Sequence, residues 1–267
     1  MTDRAAWEVR HGDCLDWLTG EPDESVSAFV TDPPYCSGSI SEAGRTRATH
    51  QGLRSETIKA GRFKWFDGDN MGTAGLSWLL RAVAFEAVRL LEDGGSFVCF
   101  CDWRMTSALE PAIESAGLRK SGLIVWNKGS MGLGVGFRPQ MELAMHFTKG
   151  VGRFYDKSIG NVITVPRPTG DEREHETQKP IDLMRSIVRV VASPGGLVVD
   201  PFTGSGSTGV AALLEGRRFL GFERAAGHVE TARSRIAAAH ASVDRTAPAS
   251  LDRASQQGFT FGEVGHG

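Results

Sequence analysis

Short, nearly continuous apolar runs alternate with amphipathic periods along this chain, and that alternation limits the fold more than any other feature. The runs lie at 7–11, 27–31, 96–101, 123–126, 142–148, 197–200 and 219–223. Strands that read as apolar throughout are covered on both faces, as in a parallel sheet. Between them, Leu76, Leu79, Leu80, Val83, Ala87 and Leu91 recur at three- and four-residue spacing, ahead of Asp93-Gly94-Gly95 as a helix stop. Leu109, Ala112, Ile113 and Ala116 repeat the pattern and stop at Gly117. Pro180 opens a third helix carrying Leu183, Met184, Ile187, Val188 and Val191. Two more are expected at about 207–215, ended by Gly216, and at about 225–241. Strands that alternate with helices in this way give an α/β, doubly wound, mostly parallel sheet.

Composition is consistent with that class. The chain has 267 residues, of which 40% are hydrophobic and 23% charged, with a formal net charge of −2. That length suits one large α/β domain or two small ones, and it can bury a substantial core. No run approaches the roughly 18 apolar residues of a membrane span. Met1-Thr2-Asp3-Arg4 is no charged-then-apolar leader, so a cytoplasmic protein is expected. The four cysteines, Cys14, Cys36, Cys99 and Cys101, have no disulfide spacing, which fits a reducing compartment. Cys99 and Cys101 share one strand face, and without a second Cys/His pair they are read as core, with no metal site expected.

Two stretches resist the alternation. Residues 36–75 and 149–179 are long and polar, apart from a short strand expected at 161–165. Loops of that length inside a compact domain are usually functional. The expected organisation is a single domain over 1–243 and a mobile tail over 244–267.

Two motifs carry chemistry. In the first, the 197–200 run ends in Asp200, followed by Pro201, Phe202, Gly204, Ser205 and Gly206 before a helix. Glycines let backbone approach a ligand closely, and a helix start presents free N–H groups. No Gly-Lys-Ser/Thr follows, so this is a nucleoside-cofactor site and not a phosphate-gripping loop. Glu223 ends the next strand, where an acid holds a ribose diol. In the second motif, the 27–31 run delivers Asp32-Pro33-Pro34-Tyr35. Two prolines stiffen the turn and leave carbonyls without competing donors. A carboxylate and a bare carbonyl together bind an –NH2 group, and Tyr35 stacks on a flat ring.

The pair of motifs resembles the amino-group DNA methyltransferases that use S-adenosylmethionine. Asp32-Pro33-Pro34-Tyr35 precedes the Phe202 loop by more than half the chain. That order is similar to the permuted β-group, in which the catalytic half comes first. Cys36-Ser37-Gly38 and Asp102-Trp103-Arg104 look like the small phage or prophage members. The resemblance implies a Rossmann-like methyltransferase fold with one antiparallel strand and a circularly permuted motif order. It implies Asp32, Pro33, Pro34 and Tyr35 as catalytic residues. The cofactor would be held by Asp13, Cys14, Asp32, Thr177, Lys179, Pro180, Asp200, Pro201, Phe202, Gly204, Ser205, Gly206 and Glu223. Asp13 is equally readable as a helix cap, and Asp102, which the resemblance places to line the pocket, is equally readable as the partner of Arg104. The acid at position 32 is the variant usual in adenine-N6 enzymes, whereas cytosine-N4 enzymes more often carry serine there. The expected function is methyl transfer to adenine N6 in double-stranded DNA after base flipping. Alternatives are cytosine-N4 methylation, methylation of RNA or a protein amide, and a non-catalytic DNA- or cofactor-binding subunit.

Charge is unevenly spread. Residues 1–35 carry a net −6, residues 36–66 a net +4 and residues 116–168 a net +6. Basic loops at an active-site rim neutralise phosphates, so Arg45, Arg47, Arg54, Lys64 and Arg138 are expected DNA contacts, with Trp65 expected to wedge or stack on bases. A homodimer stays open, and no cognate restriction enzyme is required.

Overall fold

The structure, a computed structural model, describes residues 5–34, 72–132, 136–167 and 178–246. Its eight strands are β1 (Trp7–His11), β2 (Val26–Thr31), β3 (Leu91–Cys101), β4 (Arg119–Asn127), β5 (Met141–Thr148), β6 (Val162–Thr164), β7 (Leu197–Asp200) and β8 (Arg218–Glu223). The helices are α1 (Cys14–Leu18), α2 (Thr73–Leu90), α3 (Thr106–Glu114), α4 (Ile181–Val191), α5 (Ser207–Leu214) and α6 (Ala226–Thr246). Among these residues no helix is long and apolar enough to cross a membrane.

The strands form one sheet in the order β1-β8-β7-β2-β3-β5-β4-β6. Only β5 runs against its neighbours, antiparallel to both β3 and β4. The expected mostly parallel sheet with one antiparallel strand is therefore what the chain forms. From β2 the chain crosses to β3 on one side, and from β7 it crosses to β8 on the other. Connections that diverge in this way open a crevice above the carboxyl ends of β2 and β7, where α/β proteins bind ligands.

Both faces are covered. Leu18 of α1, Leu76, Leu80 and Val83 of α2, and Leu109 and Ile113 of α3 pack on one face. Leu183 and Ile187 of α4, Ala211 of α5, and Ala232 and Ile236 of α6 pack on the other. Along β2, Phe29 faces the first core while Ala28 and Val30 face the second, and every residue of the strand is buried. Alternation with two buried faces removes the polar side that a half-exposed strand would show. Cys99 and Cys101 lie together in the first core.

One boundary differs from the sequence reading. Asp93-Gly94-Gly95 does not stop the helix. The helix ends at Leu90 and β3 starts at Leu91. The two glycines sit inside β3, where Val26 pairs with Leu91 but Ala28 pairs with Ser96. The extra residues on β3 are accommodated by Gly94, at φ 78°. Strand β4 is also longer than the apolar run at 123–126, because pairing with β5 extends through its polar start.

Part of the long stretch 149–179 is built into the sheet. Strand β6 adds beside β4, with the Trp126 indole donating to the Val165 carbonyl at 2.8 Å. Lys149 and Arg153 lie at the amino edge, where Lys149 Nζ donates to the Leu91 carbonyl at 2.8 Å and the Arg153 amide to Gly94 at 2.9 Å. Residues 165–167 lie at the opposite, carboxyl edge. Within the stretch expected to touch DNA, the two ends of 149–167 thus sit on opposite edges of the sheet. Residues 1–4, 35–71, 133–135, 168–177 and 247–267 lie outside the described residues.

Candidate active site at the carboxyl edge of the sheet

The edge is built from two neighbouring strand ends. Strand β7 delivers Asp200, which is buried. Its Oδ1 accepts from Thr31 Oγ1 at 2.7 Å and the Phe202 amide at 3.0 Å, and its Oδ2 from Thr208 Oγ1 at 2.6 Å. Burial pushes its pKa up to about 6, against the opposing pull of those donors. Asp200 thereby fastens the turn that follows it.

That turn needs its glycines. Gly204 and Gly206 have φ of 52° and 84°, conformations that a side chain disfavours. A Cβ on Gly206 would come within 3.1 Å of Ala232, whereas at Gly204 the nearest atom among the described residues beyond its chain neighbours, the Phe202 carbonyl oxygen, lies 4.0 Å away. The turn is therefore packed from behind and open in front. Helix α5 starts at Ser207, whose buried hydroxyl has no partner among the described residues. Glu223, ending β8, accepts from the Gly204 amide at 2.9 Å and the Ala225 amide at 2.8 Å. An open glycine turn, an unpaired hydroxyl at a helix start and a carboxylate with lone pairs to spare suit the nucleoside part of a cofactor.

The second motif stands beside it. Asp32 follows β2, with Pro33 buried and Pro34 half-buried. Its Oδ2 accepts from Lys179 Nζ at 2.5 Å, while its Oδ1 is buried and has no partner among the described residues. Lys179 is buried, lies 4.9 Å from the centre of the Phe100 ring and also pairs with Glu142 Oε2 at 3.3 Å. Glu142 in turn pairs with the buried Lys128. Burial alone would lower the Lys179 ammonium, and the charges of Asp32 and Glu142 more than reverse this. Burial works against the charged form of Glu142 as well, yet Lys179 and Lys128 hold its carboxyl below the usual range.

Sequence reasoning missed Glu142 in this cluster and counted Lys128 only as part of a basic stretch. The signal was an acid opening an otherwise apolar run. Because β5 is antiparallel, its first residues arrive at the carboxyl edge, with Glu142 opposite Trp126. Lys179, expected beside the cofactor, meets Asp32, which was itself among the residues expected there.

The other expected residues divide as follows. Asp13 caps α1, its Oδ1 accepting from the Leu15 amide at 3.0 Å, with Oδ2 3.9 Å from Arg224. Cys14 is buried at the start of α1, and burial pushes its thiol up to about 12. Asp102 pairs with Arg104 at 2.6 Å. Pro180 is the residue before α4, Pro201 is buried and Phe202 is half-buried. Ser205 accepts from Arg235 through its carbonyl at 2.5 Å and its hydroxyl at 2.9 Å. Arg138 is exposed, and its Nε donates to the Gly132 carbonyl at 2.8 Å. Tyr35, Thr177, Arg45, Arg47, Arg54, Lys64 and Trp65 lie outside the described residues, as does Cys36.

Known proteins are similar to this chain in sequence or in fold. YubD of Escherichia coli (strain K12), provisionally named a methylase, is 30% identical over 249 residues, covering 92% of each chain. DNA adenine methyltransferase YhdJ of the same organism is 27% identical, over 90% of this chain and 86% of its own. The crystal structure of the M1.HpyAVI–SAM complex superposes with a TM-score of 0.62 at 23% identity, over 86% of this chain and 98% of that one. The N6/N4-type DNA methylase family matches residues 26–234, from the start of β2 into α6 and across both motifs, and the chain belongs to that family.

Proposed function

We propose that this DNA methyltransferase acts on the exocyclic N6 of adenine in double-stranded DNA, with S-adenosylmethionine as methyl donor. The observation that carries this reading is the divided carboxylate of Asp32. One oxygen is held by Lys179, and the other is a buried acceptor with no partner among the described residues. A buried acceptor without a donor is costly and fits a substrate N–H. Adenine N6 is a poor nucleophile because its lone pair is delocalised into the ring. Hydrogen bonds from its two hydrogens to Asp32 Oδ1 and the Pro33 carbonyl favour a pyramidal nitrogen with a directed lone pair. S-adenosylmethionine, when bound, supplies a methyl group on a positively charged sulfur.

The chain's own contribution is positioning and stabilisation of the positive charge that develops on nitrogen. Asp32 takes the amine proton once that nitrogen is positive. Asp200, the 201–206 turn and Glu223 hold the cofactor within reach of Asp32. The target base leaves the stack, which costs a few kcal/mol, and stacking on Tyr35 returns about 1–3 kcal/mol. Support for adenine over cytosine comes from the acid at position 32 and from the adenine-specific name of YhdJ. The motif order is read as the permuted β-group arrangement, and no restriction enzyme is required as a partner.

The test is nucleoside mass spectrometry of unmethylated duplex DNA treated with the protein and S-adenosylmethionine. N6-methyladenine is expected. N4-methylcytosine in its place would overturn the adenine assignment, and no methylated nucleoside would overturn the reading as a whole.

A further inference from the structure

Lys128, Glu142, Lys179 and Asp32 form a chain of alternating charge that crosses from β4 through β5 and the segment before α4 to the end of β2. Both lysines are buried. Ammonium groups removed from water are costly unless paired, and each here lies on a carboxylate. Lys179 also stands over the Phe100 ring, so an aromatic face and two acids fix one position for its Nζ. That position is 2.5 Å from Asp32 Oδ2.

Held in this way, Asp32 has its Oδ2 engaged by Lys179 and keeps Oδ1 as the oxygen without a partner among the described residues. A carboxylate on a free side chain would rotate and offer either oxygen to solvent or base. We infer that Lys179, backed by Glu142 and Lys128, is a positioning residue for methyl transfer. It clamps Oδ2 so that Oδ1 alone faces the target amine, and it acts through Asp32 instead of through the cofactor. The inference rests on the proposed methyltransferase function and deepens it. It differs from the cofactor role that the sequence resemblance implies for Lys179.

The experiment compares the full chain with Lys179→Met, Lys179→Arg and Glu142→Gln. Turnover on duplex DNA is measured with KM for DNA, together with S-adenosylmethionine affinity by calorimetry. Misplacing a reacting group by about an ångström costs on the order of 100-fold in rate. Lys179→Met is expected to lose about that factor in kcat, with DNA KM and cofactor Kd within about threefold of wild type. Lys179→Arg keeps the charge and is expected to recover about tenfold of the loss. Glu142→Gln, one link further away, is expected to lose about tenfold in kcat.

Unchanged kcat in Lys179→Met overturns the inference, and so does a cofactor Kd raised more than about tenfold, which would make Lys179 a cofactor ligand. If Lys179→Met does not fold, Glu142→Gln decides. A kcat loss at constant cofactor Kd supports the clamp, and wild-type kcat overturns it. A wild-type protein that methylates no DNA overturns the functional reading and this inference together. An active wild type with unaffected variants overturns only the inference.

Discussion

Thr31 Oγ1 donates to Asp200 Oδ1 at 2.7 Å, in the interior of the sheet. This bond joins the last residue of β2, next to Asp32, to the last residue of β7, next to the glycine turn at 201–206. The two motifs stand far apart in the chain, and this contact sets their spacing. Thr31→Val keeps the shape and removes the donor. A loss of about 1–2 kcal/mol is expected, seen as a melting temperature lower by roughly 2–4 °C in calorimetry. An unchanged melt would show that the bond does not hold the strands.

Asp200 also predicts a pH dependence. Its carboxyl is raised from 3.8 to about 6, mainly by burial. Between those values the folded protein keeps a proton that the unfolded chain has released. The resulting stability is fully present below about 4 and is lost as pH rises through about 6. Asp200→Asn carries no such titration. Urea unfolding from pH 4 to pH 7 should show the wild type losing on the order of 3 kcal/mol relative to the variant. Parallel curves for the two proteins would refute the assignment.

Gly206 combines a φ of 84° with a Cβ position 3.1 Å from Ala232. Gly206→Ala should therefore cost about 1–3 kcal/mol, from backbone strain and from displacement of α6. Thermal melting should show the loss, and calorimetry a weaker affinity for S-adenosylmethionine. Full stability in the variant would mean that the turn relaxes without this conformation.

Glu223 holds two amides at the carboxyl edge of the sheet, those of Gly204 and Ala225. Glu223→Ala strands both donors and removes the acid expected to bind a ribose diol. Hydrogen bonds to a charged group contribute about 1.5–3 kcal/mol, so cofactor Kd should rise on the order of 10- to 100-fold. Turnover at saturating cofactor should fall much less. Equal losses in both would place Glu223 in the chemical step.

The basic residues Arg45, Arg47 and Lys64 lie outside the described residues, and their expected role is electrostatic. Changing all three to glutamate should weaken duplex binding at least about tenfold at low salt and flatten its salt dependence. Cofactor affinity should stay at its wild-type value. Unaltered DNA affinity in a fluorescence titration would remove these residues from the interface.

Much of the fold was readable because it is local. A strand buried on both faces must be apolar throughout, as β2 is. A turn with positive φ requires glycine, as at Gly204 and Gly206. Asp32-Pro33-Pro34 and Asp200-Pro201-Phe202 each announce a strand end whose side chains are set by their own backbone. Gly94 and Gly95 show where such reading fails. A glycine pair stops a helix or bends a strand equally well, and only pairing with β2 and contact with residues 149–153 chose the strand.

By itself, then, the amino-acid sequence determined the class of sheet, the two motifs and the chemistry their residue types permit. The tertiary structure alone decided which charges meet at Asp32. Glu142 reaches Lys179 because β5 runs antiparallel, and Lys179 turns to Asp32 because burial leaves an ammonium no water and two nearby carboxylates. Periodicity along a chain reports which face of an element is buried. It does not report which distant element brings a counter-charge to that face, because strand order and direction settle this only when the sheet closes over its core.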